Sequence, residues 1–251
     1  MFIPNKIFSG EFAFIFALLI GCSIGFSQSP MNQWIMDPDH IDITTVKDLS
    51  GNEDGLIQGR KVTVQNPSAL YFDGADTYIE LAAKDEVKAL PTTKITAEAW
   101  VAVNSPAEWG GIIGCLQDNG DFEKGWVLGY NNDKFNFVLS TGGDLTYLNA
   151  SIPYETGKWY HVVGTYDGSR MRIYINGTER GSSANRRGAI DYSPAAFVIG
   201  TYLDDNEFYP LEGFISEVRL YNRALSGQEI RNRYNRTRGD YNTRPQPPVL
   251  I

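Results

Sequence analysis

Two short stretches, residues 117–123 and 203–209, are rich in acidic and amide side chains and are candidate metal-ion ligands. Calcium takes about six to eight oxygen ligands, which carboxylate, amide and backbone carbonyl groups can supply. The spacing is not that of an EF-hand loop. The same residue types are typical of turns, in which Asp and Asn accept hydrogen bonds from backbone amides, so both interpretations stay open. The candidate ligands are Asp118, Asn119, Asp121, Asp204, Asp205, Asn206 and Glu207.

Aromatic side chains are concentrated in and around the same two stretches, which favours a surface for sugars. Sugar rings present apolar C–H faces that pack against aromatic planes, and neighbouring carboxylates can bind the hydroxyl groups. Most strand aromatics in a sandwich belong to the core, and Trp100, Trp126 and Trp159 are predicted there. The remaining candidates for contact with carbohydrate are Trp109, Phe122, Phe208 and Tyr209.

Catalytic chemistry has little support in this sequence. The chain contains only two histidines, His40 and His161, so a Ser–His–Asp triad or a His-rich zinc site has few potential members. Each histidine is predicted to be an ordinary core or surface residue. The Glu-x-Asp-x-x-Glu pattern of paired glucanase carboxylates is absent, as is a Gly-rich phosphate loop. We therefore predict that the chain is not an enzyme.

Composition excludes some partners and favours one class of fold. The net charge of −8 repels phosphate backbones, so a nucleic-acid partner is not expected. The chain has 14 Tyr, 13 Phe and 5 Trp beside 25 Gly, a combination that favours strands and tight turns over helix bundles. The composition of these 251 residues thus predicts an all-β domain.

Residues 1–27 have the features of a signal peptide. Lys6 precedes an apolar run at residues 12–20, and Gly25 and Ser27 supply small residues before Gln28. Polar and small residues dilute the second half of this segment, which argues against a membrane-spanning helix. The sequence around Cys22 also resembles a bacterial lipobox, in which that cysteine is acylated. Both processing routes predict a secreted or cell-surface protein, with membrane contact only through this segment or a lipid anchor.

Processing at Cys22 also decides the cysteine chemistry. Once Cys22 is removed or acylated, Cys115 is the only other cysteine in the chain. An intrachain disulfide is then not possible, and stability must come from the core.

Short apolar or alternating runs separated by Gly, Asp and Asn predict eleven strands from residue 69 onward. Asp167-Gly168 and Asn176-Gly177 suit tight hairpin turns, so the three strands around them should form a meander. The predicted strands are residues 69–72, 78–81, 95–103, 112–116, 126–130, 135–140, 159–166, 170–175, 178–182, 196–202 and 214–221.

One helix is predicted near the end of the chain. Ser226 as N-cap and Glu229 at the third helical position form a capping box, with Leu225 and Ile230 at the positions of a hydrophobic staple. The helix should end near Asn235. Residues 237–251 contain several prolines and are predicted to be an extended tail or linker.

Six segments in this order resemble the laminin-G-like, concanavalin A-like jelly-roll domain of secreted bacterial proteins. The resemblance covers residues 45–236, which leaves residues 28–44 as an N-terminal lead-in. The segments are DLSGN at 48–52, ALYFDGADTYI at 69–79, TAEAWV at 96–101, WYHVVGTYDG at 159–168, IYING at 173–177 and ISEVRLYNRALS at 215–226.

The resemblance implies an antiparallel two-sheet jelly-roll sandwich whose rim loops bind carbohydrate or protein and often hold calcium. One departure is Ser216, where relatives commonly carry Asp. The sequence therefore predicts an extracytoplasmic carbohydrate-binding module, with calcium as a candidate cofactor. The alternative is a protein-interaction or adhesion module at the cell surface, and a hydrolase is supported only by the acidic residues. The predicted partner is accordingly a glycan or a surface protein.

Overall fold

The computed structural model describes residues 29–243, except residues 52, 65–66, 87–88 and 121. Within those ranges the chain forms nineteen strands, followed by helix α1 at Gly227–Thr237 and a 3-10 helix at Arg238–Tyr241. The strands are β1 Asn32–Ile35, β2 Ile41–Asp42, β3 Thr45–Val46, β4 Gly55–Gln58, β5 Val62–Val64, β6 Ala69–Asp73, β7 Tyr78–Ala82, β8 Ile95–Val103, β9 Ala107–Asn119, β10 Phe122–Asn132, β11 Lys134–Thr141, β12 Asp144–Asn149, β13 Trp159–Tyr166, β14 Met171–Ile175, β15 Thr178–Ser183, β16 Phe197–Ile199, β17 Thr201–Leu203, β18 Phe208–Pro210 and β19 Glu212–Tyr221.

Two large antiparallel sheets face each other. The eight-stranded sheet has the order β15-β14-β13-β8-β19-β6-β5, with β1 also paired to β19. The nine-stranded sheet has the order β12-β11-β10-β9-β16-β7-β4-β3-β2, and β17 and β18 form a separate hairpin. The predicted all-β, antiparallel two-sheet jelly-roll sandwich with a short C-terminal helix is confirmed.

The core lies between the two sheets and follows from the alternation of side chains along each strand. On β10 and β11, Trp126, Leu128, Phe137 and Leu139 are fully buried between the sheets. The intervening residues point to the outer face of the nine-stranded sheet. Core packing uses only the inner face of this sheet, so its outer face is available for another role.

The predicted meander is confirmed as β13, β14 and β15. Asn176 and Gly177 have positive φ values of 51° and 74°, the left-handed conformations that a tight hairpin of this type requires. Residues 28–44, predicted as a lead-in, contribute β1 to the eight-stranded sheet and Trp34 to the core. The strands before residue 69 are short, which explains why their alternation is hard to detect in the sequence.

Two other elements differ from their predicted extents. Strands β9 and β10 pair as far as Asn119 and Phe122, so the stretch 117–123 is the end of a long hairpin rather than an open loop. The strand predicted at 196–202 is divided at Gly200, whose φ of 84° turns the chain between β16 and β17.

The capping box of helix α1 is confirmed. The Ser226 hydroxyl accepts a hydrogen bond from the Glu229 backbone N–H at 3.3 Å, and the Glu229 carboxylate accepts one from the Ser226 N–H at 2.8 Å. These reciprocal bonds satisfy amides that would otherwise lack partners at the helix start.

After helix α1, the chain continues to pack on the eight-stranded sheet within the range predicted to be a linker. The Tyr241 ring stacks on Trp100 with centroids 3.8 Å apart, and its hydroxyl lies 3.0 Å from that of Ser216. The small side chain at Ser216, where relatives commonly have Asp, is thus engaged with this segment. The Pro-rich residues 244–251 lie outside the described residues.

A buried group of charged residues joins helix α1 to the outer face of the eight-stranded sheet. Glu98 is hydrogen bonded to His161 Nε2 and to Arg233 Nε, both at 2.8 Å, and Arg219 lies 3.6 Å away. His161 is fully buried here. Because Arg233 lies on α1 while Glu98 and His161 lie on β8 and β13, the group has a structural role in holding the helix.

Candidate functional site

The outer face of the nine-stranded sheet carries a second apolar cluster, separate from the core. Leu116, Val127 and Val138 come from β9, β10 and β11 and alternate with the core-facing residues of those strands. Tyr202 completes the cluster, with Leu145 and Tyr209 packed against it. An outer face that was only in contact with water would not need this apolar layer, so something must cover it.

The cover is the hairpin of β17 and β18. The Gly200 N–H donates to the Ile112 carbonyl at 2.9 Å, and the Leu211 N–H donates to the Gly200 carbonyl at 2.9 Å, which fixes both ends of the hairpin. A Cβ atom at Gly111 would lie 2.1 Å from the Thr201 carbonyl oxygen. Glycine at this position therefore allows the hairpin to approach the backbone of β9.

A cleft of about 130 Å³ opens beside the hairpin. Strands β9 to β12 form its floor and one wall, and the hairpin forms the other wall. The residues around it are largely aromatic, acidic or amide-bearing, with a few apolar side chains. They are Trp109, Gly110, Leu116, Asp118, Val127, Tyr130, Asn136, Val138, Tyr147, Tyr202 and Glu207.

Trp109 and Tyr147 form the aromatic side of the cleft. Their ring centroids are 5.8 Å apart with planes inclined by 55°, and the Tyr147 side chain is 45% exposed. On the other wall, Tyr202 and Tyr209 stack at 5.9 Å with planes inclined by 23°. Exposed ring faces beside polar groups are suited to the apolar faces and hydroxyl groups of sugars.

Carboxylates from the two acidic stretches hold these tyrosines in place. Tyr147 donates to Asp118 at 2.7 Å, Tyr202 donates to Asp204 at 2.6 Å, and Tyr209 donates to Glu207 at 3.0 Å. Burial, followed by the bonds and charges of these carboxylates, raises the pKa of Tyr147 and of Tyr202 well above the usual range. Both phenols therefore stay protonated at neutral pH and orient their oxygens toward the acids.

Two buried polar atoms at the cleft lack hydrogen-bond partners among the residues that the structure describes. They are the Tyr130 hydroxyl and the Asn136 side-chain carbonyl, on residues that are 1% and 2% exposed. A Cβ atom at Gly110 would lie 2.1 Å from the Tyr130 ring, so glycine is needed for this ring to fit. Buried polar groups without partners cost about 1 to 3 kcal/mol each, and a bound hydroxyl group can satisfy them.

Of the four aromatic residues predicted to contact carbohydrate, Trp109 lines the cleft and Tyr209 packs behind Tyr202. Phe208 lies outside the cleft, with its ring 5.8 Å from Tyr78. The Phe122 side chain lies outside the part of the chain that the structure describes. The structure thus brings the predicted Trp109 together with Tyr130, Tyr147 and Tyr202, which the sequence analysis did not select.

Of the seven predicted metal ligands, Asp118 and Glu207 line the cleft. Asp204 accepts bonds from the backbone N–H groups of Asn206 at 3.0 Å and Glu207 at 2.8 Å, as in an ordinary Asx turn. Asp205 forms an ion pair with Lys84. Asn119 is exposed next to the hairpin end, and Asp121 lies outside the described residues.

Over the ranges that the structure covers, no three Asp, Glu, His or Cys side chains lie close enough together to hold a metal ion. Both Asp204 oxygens already accept hydrogen bonds, since the second accepts from Tyr202 and from the Asp118 N–H at 3.3 Å. Calcium binding therefore stays a prediction, and an ion would have to replace these bonds or recruit Asp121.

Tyr147 and Asn136 are the cleft residues with the clearest signal that the sequence analysis did not use. Residues 144–147 alternate between polar and apolar or aromatic types after the turn glycines Gly142 and Gly143, which is typical of the hairpin strand β12. Asn136 lies between Phe135 and Phe137, so its side chain must face away from the core. Neither feature shows that the hairpin of β17 and β18 covers that face.

A second cavity of about 280 Å³ lies on the opposite side of the molecule, near the end of helix α1. Trp100, Trp159 and Tyr241 contribute to it, with Lys158 and Arg238. Tyr241 covers the face of Trp100, and Trp159 is only 4% exposed. The aromatic faces at this second cavity are therefore used in packing, unlike those of Trp109 and Tyr147.

Comparison with known proteins gives matches at the level of both sequence and fold. The family model of the concanavalin A-like lectin/glucanases superfamily matches residues 73–231. Pappalysin-1 from Mus musculus is similar to this chain, with 29% identity over 197 residues that cover 71% of the chain. The chain spans only 12% of the length of that relative.

Two solved structures share the fold at low sequence identity. Domain 4 of AbnA, a GH43 extracellular arabinanase from Geobacillus stearothermophilus, in complex with arabinotriose, has a TM-score of 0.63 and 19% identity, covering 81% of this chain and 97% of that domain. The sialidase of Trypanosoma rangeli in complex with the inhibitor DANA has a TM-score of 0.58 and 19% identity, covering 81% of this chain and 32% of the sialidase. In the described part of the chain, no helix has the length and apolar character needed to cross a membrane.

Proposed function

Because the chain belongs to the concanavalin A-like lectin/glucanases superfamily, we propose that it is a carbohydrate-binding module whose site is the cleft beside the β17–β18 hairpin. The observation that carries the proposal is the cleft itself. The half-buried ring of Trp109 and the exposed ring of Tyr147 lie beside the carboxylates of Asp118 and Glu207 and the unpartnered Asn136 carbonyl. A sugar needs both an apolar surface and hydrogen-bond partners, and this cleft offers both.

The module is proposed to bind rather than to catalyse. The Asp118 and Glu207 carboxylates accept hydrogen bonds from Tyr147 and Tyr209, which positions them as parts of the cleft walls. Glycosidases use two carboxyl groups that flank the scissile bond as acid and base or nucleophile. Incubation of the protein with bound oligosaccharides, followed by chromatography, should return them intact. Release of shorter products that depends on Asp118 or Glu207 would overturn this part of the proposal.

A glycan array tests the site directly. Wild-type protein should bind a defined set of glycans, and Trp109→Ala or Tyr147→Ala should weaken that binding about tenfold, because each removes a stacking surface. Phe208→Ala is the matched control, since this aromatic residue is exposed on β18 of the β17–β18 hairpin but lies outside the cleft. Loss of binding in Phe208→Ala, with Tyr147→Ala unaffected, would place the site elsewhere. No glycan bound by the wild type would overturn the proposal.

A protein partner is the second candidate function, and exposed apolar side chains favour it. Ile43 is 79% exposed at the β2–β3 turn, and Leu56 is 47% exposed on β4, opposite Thr45. Periodate oxidation destroys glycans on a bacterial surface but leaves most proteins in place. Binding that survives periodate and is lost in an Ile43→Ser, Leu56→Ser variant would favour the protein partner. Binding that periodate abolishes would favour the carbohydrate.

Export to the cell surface or medium is part of the proposal and is supported by the predicted signal peptide. Residues 1–27, including the lipobox cysteine Cys22, lie outside the described residues. Intact-mass analysis of the exported protein should give a chain that begins at Gln28, or an acylated chain that begins at Cys22. An exported chain that retains Met1 would contradict both processing routes.

A further inference from the structure

The charges around the cleft are of one sign. Among the described residues that line it, Asp118 and Glu207 are acidic, and none is Lys, Arg or His. Asp204 adds a third carboxylate through its bonds to Tyr202 and to the Asp118 N–H. Glu123, whose carboxylate accepts from the Leu145 N–H at 3.2 Å, adds a fourth near the same end of the sheet. A ligand in the cleft therefore meets negative charge.

The tyrosines in the cleft already respond to these charges. Burial makes the largest contribution to the raised pKa of both Tyr147 and Tyr202. The carboxylates of Asp118, Glu123 and Glu207 raise the pKa of Tyr147 further. Asp204 and Asp118 do the same for Tyr202. The same carboxylates would oppose a negative charge on a ligand.

The hydrogen-bonding groups at the cleft also select against anions. The carboxylates of Asp118 and Glu207 and the unpartnered carbonyl of Asn136 are all acceptors, so they require donors from the ligand. Sugar hydroxyl groups can donate to them, whereas an ionised carboxylate or sulfate group cannot. The buried and unpartnered Tyr130 hydroxyl can either donate to a sugar hydroxyl or accept from one.

Resting on the proposed function, we propose that the cleft selects uncharged, hydroxyl-rich sugar residues and rejects sugars that carry a carboxylate or sulfate group. Placing an anion beside Asp118 and Glu207 brings like charges together, which electrostatic complementarity disfavours strongly. The fold alone does not give this preference, because it depends on which side chains this chain places around the cleft.

The test compares sugars that differ only in charge. Titration calorimetry would use the methyl glycosides of glucose, galactose and mannose, each compared with its uronic acid. We expect at least one neutral probe to bind. At low salt, the affinity for its acidic counterpart should be lower by about tenfold or by a larger factor. Equal or tighter binding of the uronic acid would overturn the inference and leave the proposed function standing. Binding of none of these probes, neutral or acidic, would count against the proposed function itself.

Two further measurements separate charge from shape. Raising the salt concentration should bring the ratio of the neutral to the acidic affinity closer to one, since salt screens charge repulsion but does not relieve a steric clash. In an Asp118→Asn, Glu207→Gln double variant, which keeps side-chain size, the ratio should fall toward one whatever happens to the absolute affinities. Asp144→Asn, on β12 outside the cleft, is the matched control and should keep the wild-type ratio. A ratio unchanged in both salt and the double variant would overturn the inference, and a melting curve confirms that the variant is folded.

Discussion

At the scale of single residues, Glu98 is a buried charge that links helix α1 to the eight-stranded sheet. It is 2% exposed and lies among His161, Arg233 and Arg219. Burial alone would raise the pKa of this carboxyl group, but the His161 hydrogen bond and the charges of His161 and the two arginines outweigh it and lower the pKa to about 2. Breaking a buried ion pair by removing one partner costs about 3 to 5 kcal/mol.

Glu98→Gln should therefore destabilise the protein by about 3 kcal/mol at pH 7, because it leaves the arginines without their carboxylate. A lowered pKa stabilises the folded state above the unfolded pKa, and this contribution is lost as the pH falls from about 4.5 to about 2. Urea unfolding at several pH values would show the wild type losing stability in that range more steeply than Glu98→Gln.

Two features make this comparison interpretable. Glu217, whose pKa burial raises, contributes with the opposite pH dependence, so the difference between variant and wild type is the quantity to measure. Glu155→Gln is the control, since this carboxylate forms an exposed surface ion pair with Lys158 and should change stability by less than about 0.5 kcal/mol. Parallel pH profiles for wild type and Glu98→Gln would contradict the role assigned to Glu98.

The sequence allows only part of the cleft to be predicted at this scale. Trp109, Asp118 and Glu207 are found because aromatic and acidic residues near turns indicate a surface role. Asn136 and Tyr147 are missed because their importance depends on which sheet face the β17–β18 hairpin covers. That contact joins β17 to β9, as at Thr201 and Gly111, which are 90 positions apart along the chain, and local patterns contain no information about it.

At the scale of elements, the start of helix α1 follows from local sequence. Ser226→Ala should lower the free energy of unfolding by about 1 kcal/mol, because the Glu229 N–H loses its acceptor. Ser226→Thr should retain most of the stability, since Thr keeps a hydroxyl that accepts from the Glu229 N–H and donates to the Glu229 carboxylate. Chemical denaturation of the three proteins measures this, and an Ala variant as stable as the wild type would show that the cap contributes little.

The hairpin that forms the cleft depends on Gly200. A Cβ atom there would lie 2.0 Å from the Phe72 ring, and φ is 84°. Gly200→Ala should cost about 1 to 3 kcal/mol more than Gly142→Ala, because only the first forces a side chain into packed atoms. Gly142 is the matched control, with φ of 67° and no atom within 4 Å of an added Cβ. Of these two variants, only Gly200→Ala should weaken glycan binding, since the added side chain forces the hairpin to shift.

Urea unfolding and the glycan array together measure both effects. Equal losses of stability in the two glycine variants, with unchanged glycan binding, would contradict this account of the hairpin.

Strands with regular alternation and turns with Asn-Gly or Asp-Gly are predictable from sequence, as the β13–β15 meander shows. The break at Gly200 is not, because it depends on Phe72 and on the bonds to Ile112 and Leu211. Likewise, the packing of residues 238–241 depends on the Trp100 ring, which is more than 100 positions away in the chain. Local signals therefore identify elements, and long-range contacts decide how the elements end.

At the scale of the whole molecule, the two large sheets supply the core, so a bound ion would add to stability rather than create the fold. The calcium prediction expects melting to rise with calcium and to fall back with chelator. The gain is about 2.7 kcal/mol at a hundred times the dissociation constant. An Asp204→Ala, Asp205→Ala double variant should lose the response. No response in the wild type would mean that Asp204 stabilises its turn and Asp205 pairs with Lys84, without a role in metal binding.

Binding of carbohydrate in the cleft beside the β17–β18 hairpin can be followed through the tryptophan indole N–H signals. The chain has five tryptophans, of which Trp109 lines this cleft while Trp100 and Trp159 line the cavity on the opposite face. In ¹⁵N-labelled protein, Trp100→Phe, Trp109→Phe and Trp159→Phe variants assign the three signals, and arabinotriose and the neutral methyl glycosides serve as probes. We predict that a bound saccharide shifts the Trp109 signal and leaves the Trp100 and Trp159 signals in place. Saturable shifts confined to Trp100 or Trp159, with Trp109 unchanged, would contradict binding in this cleft.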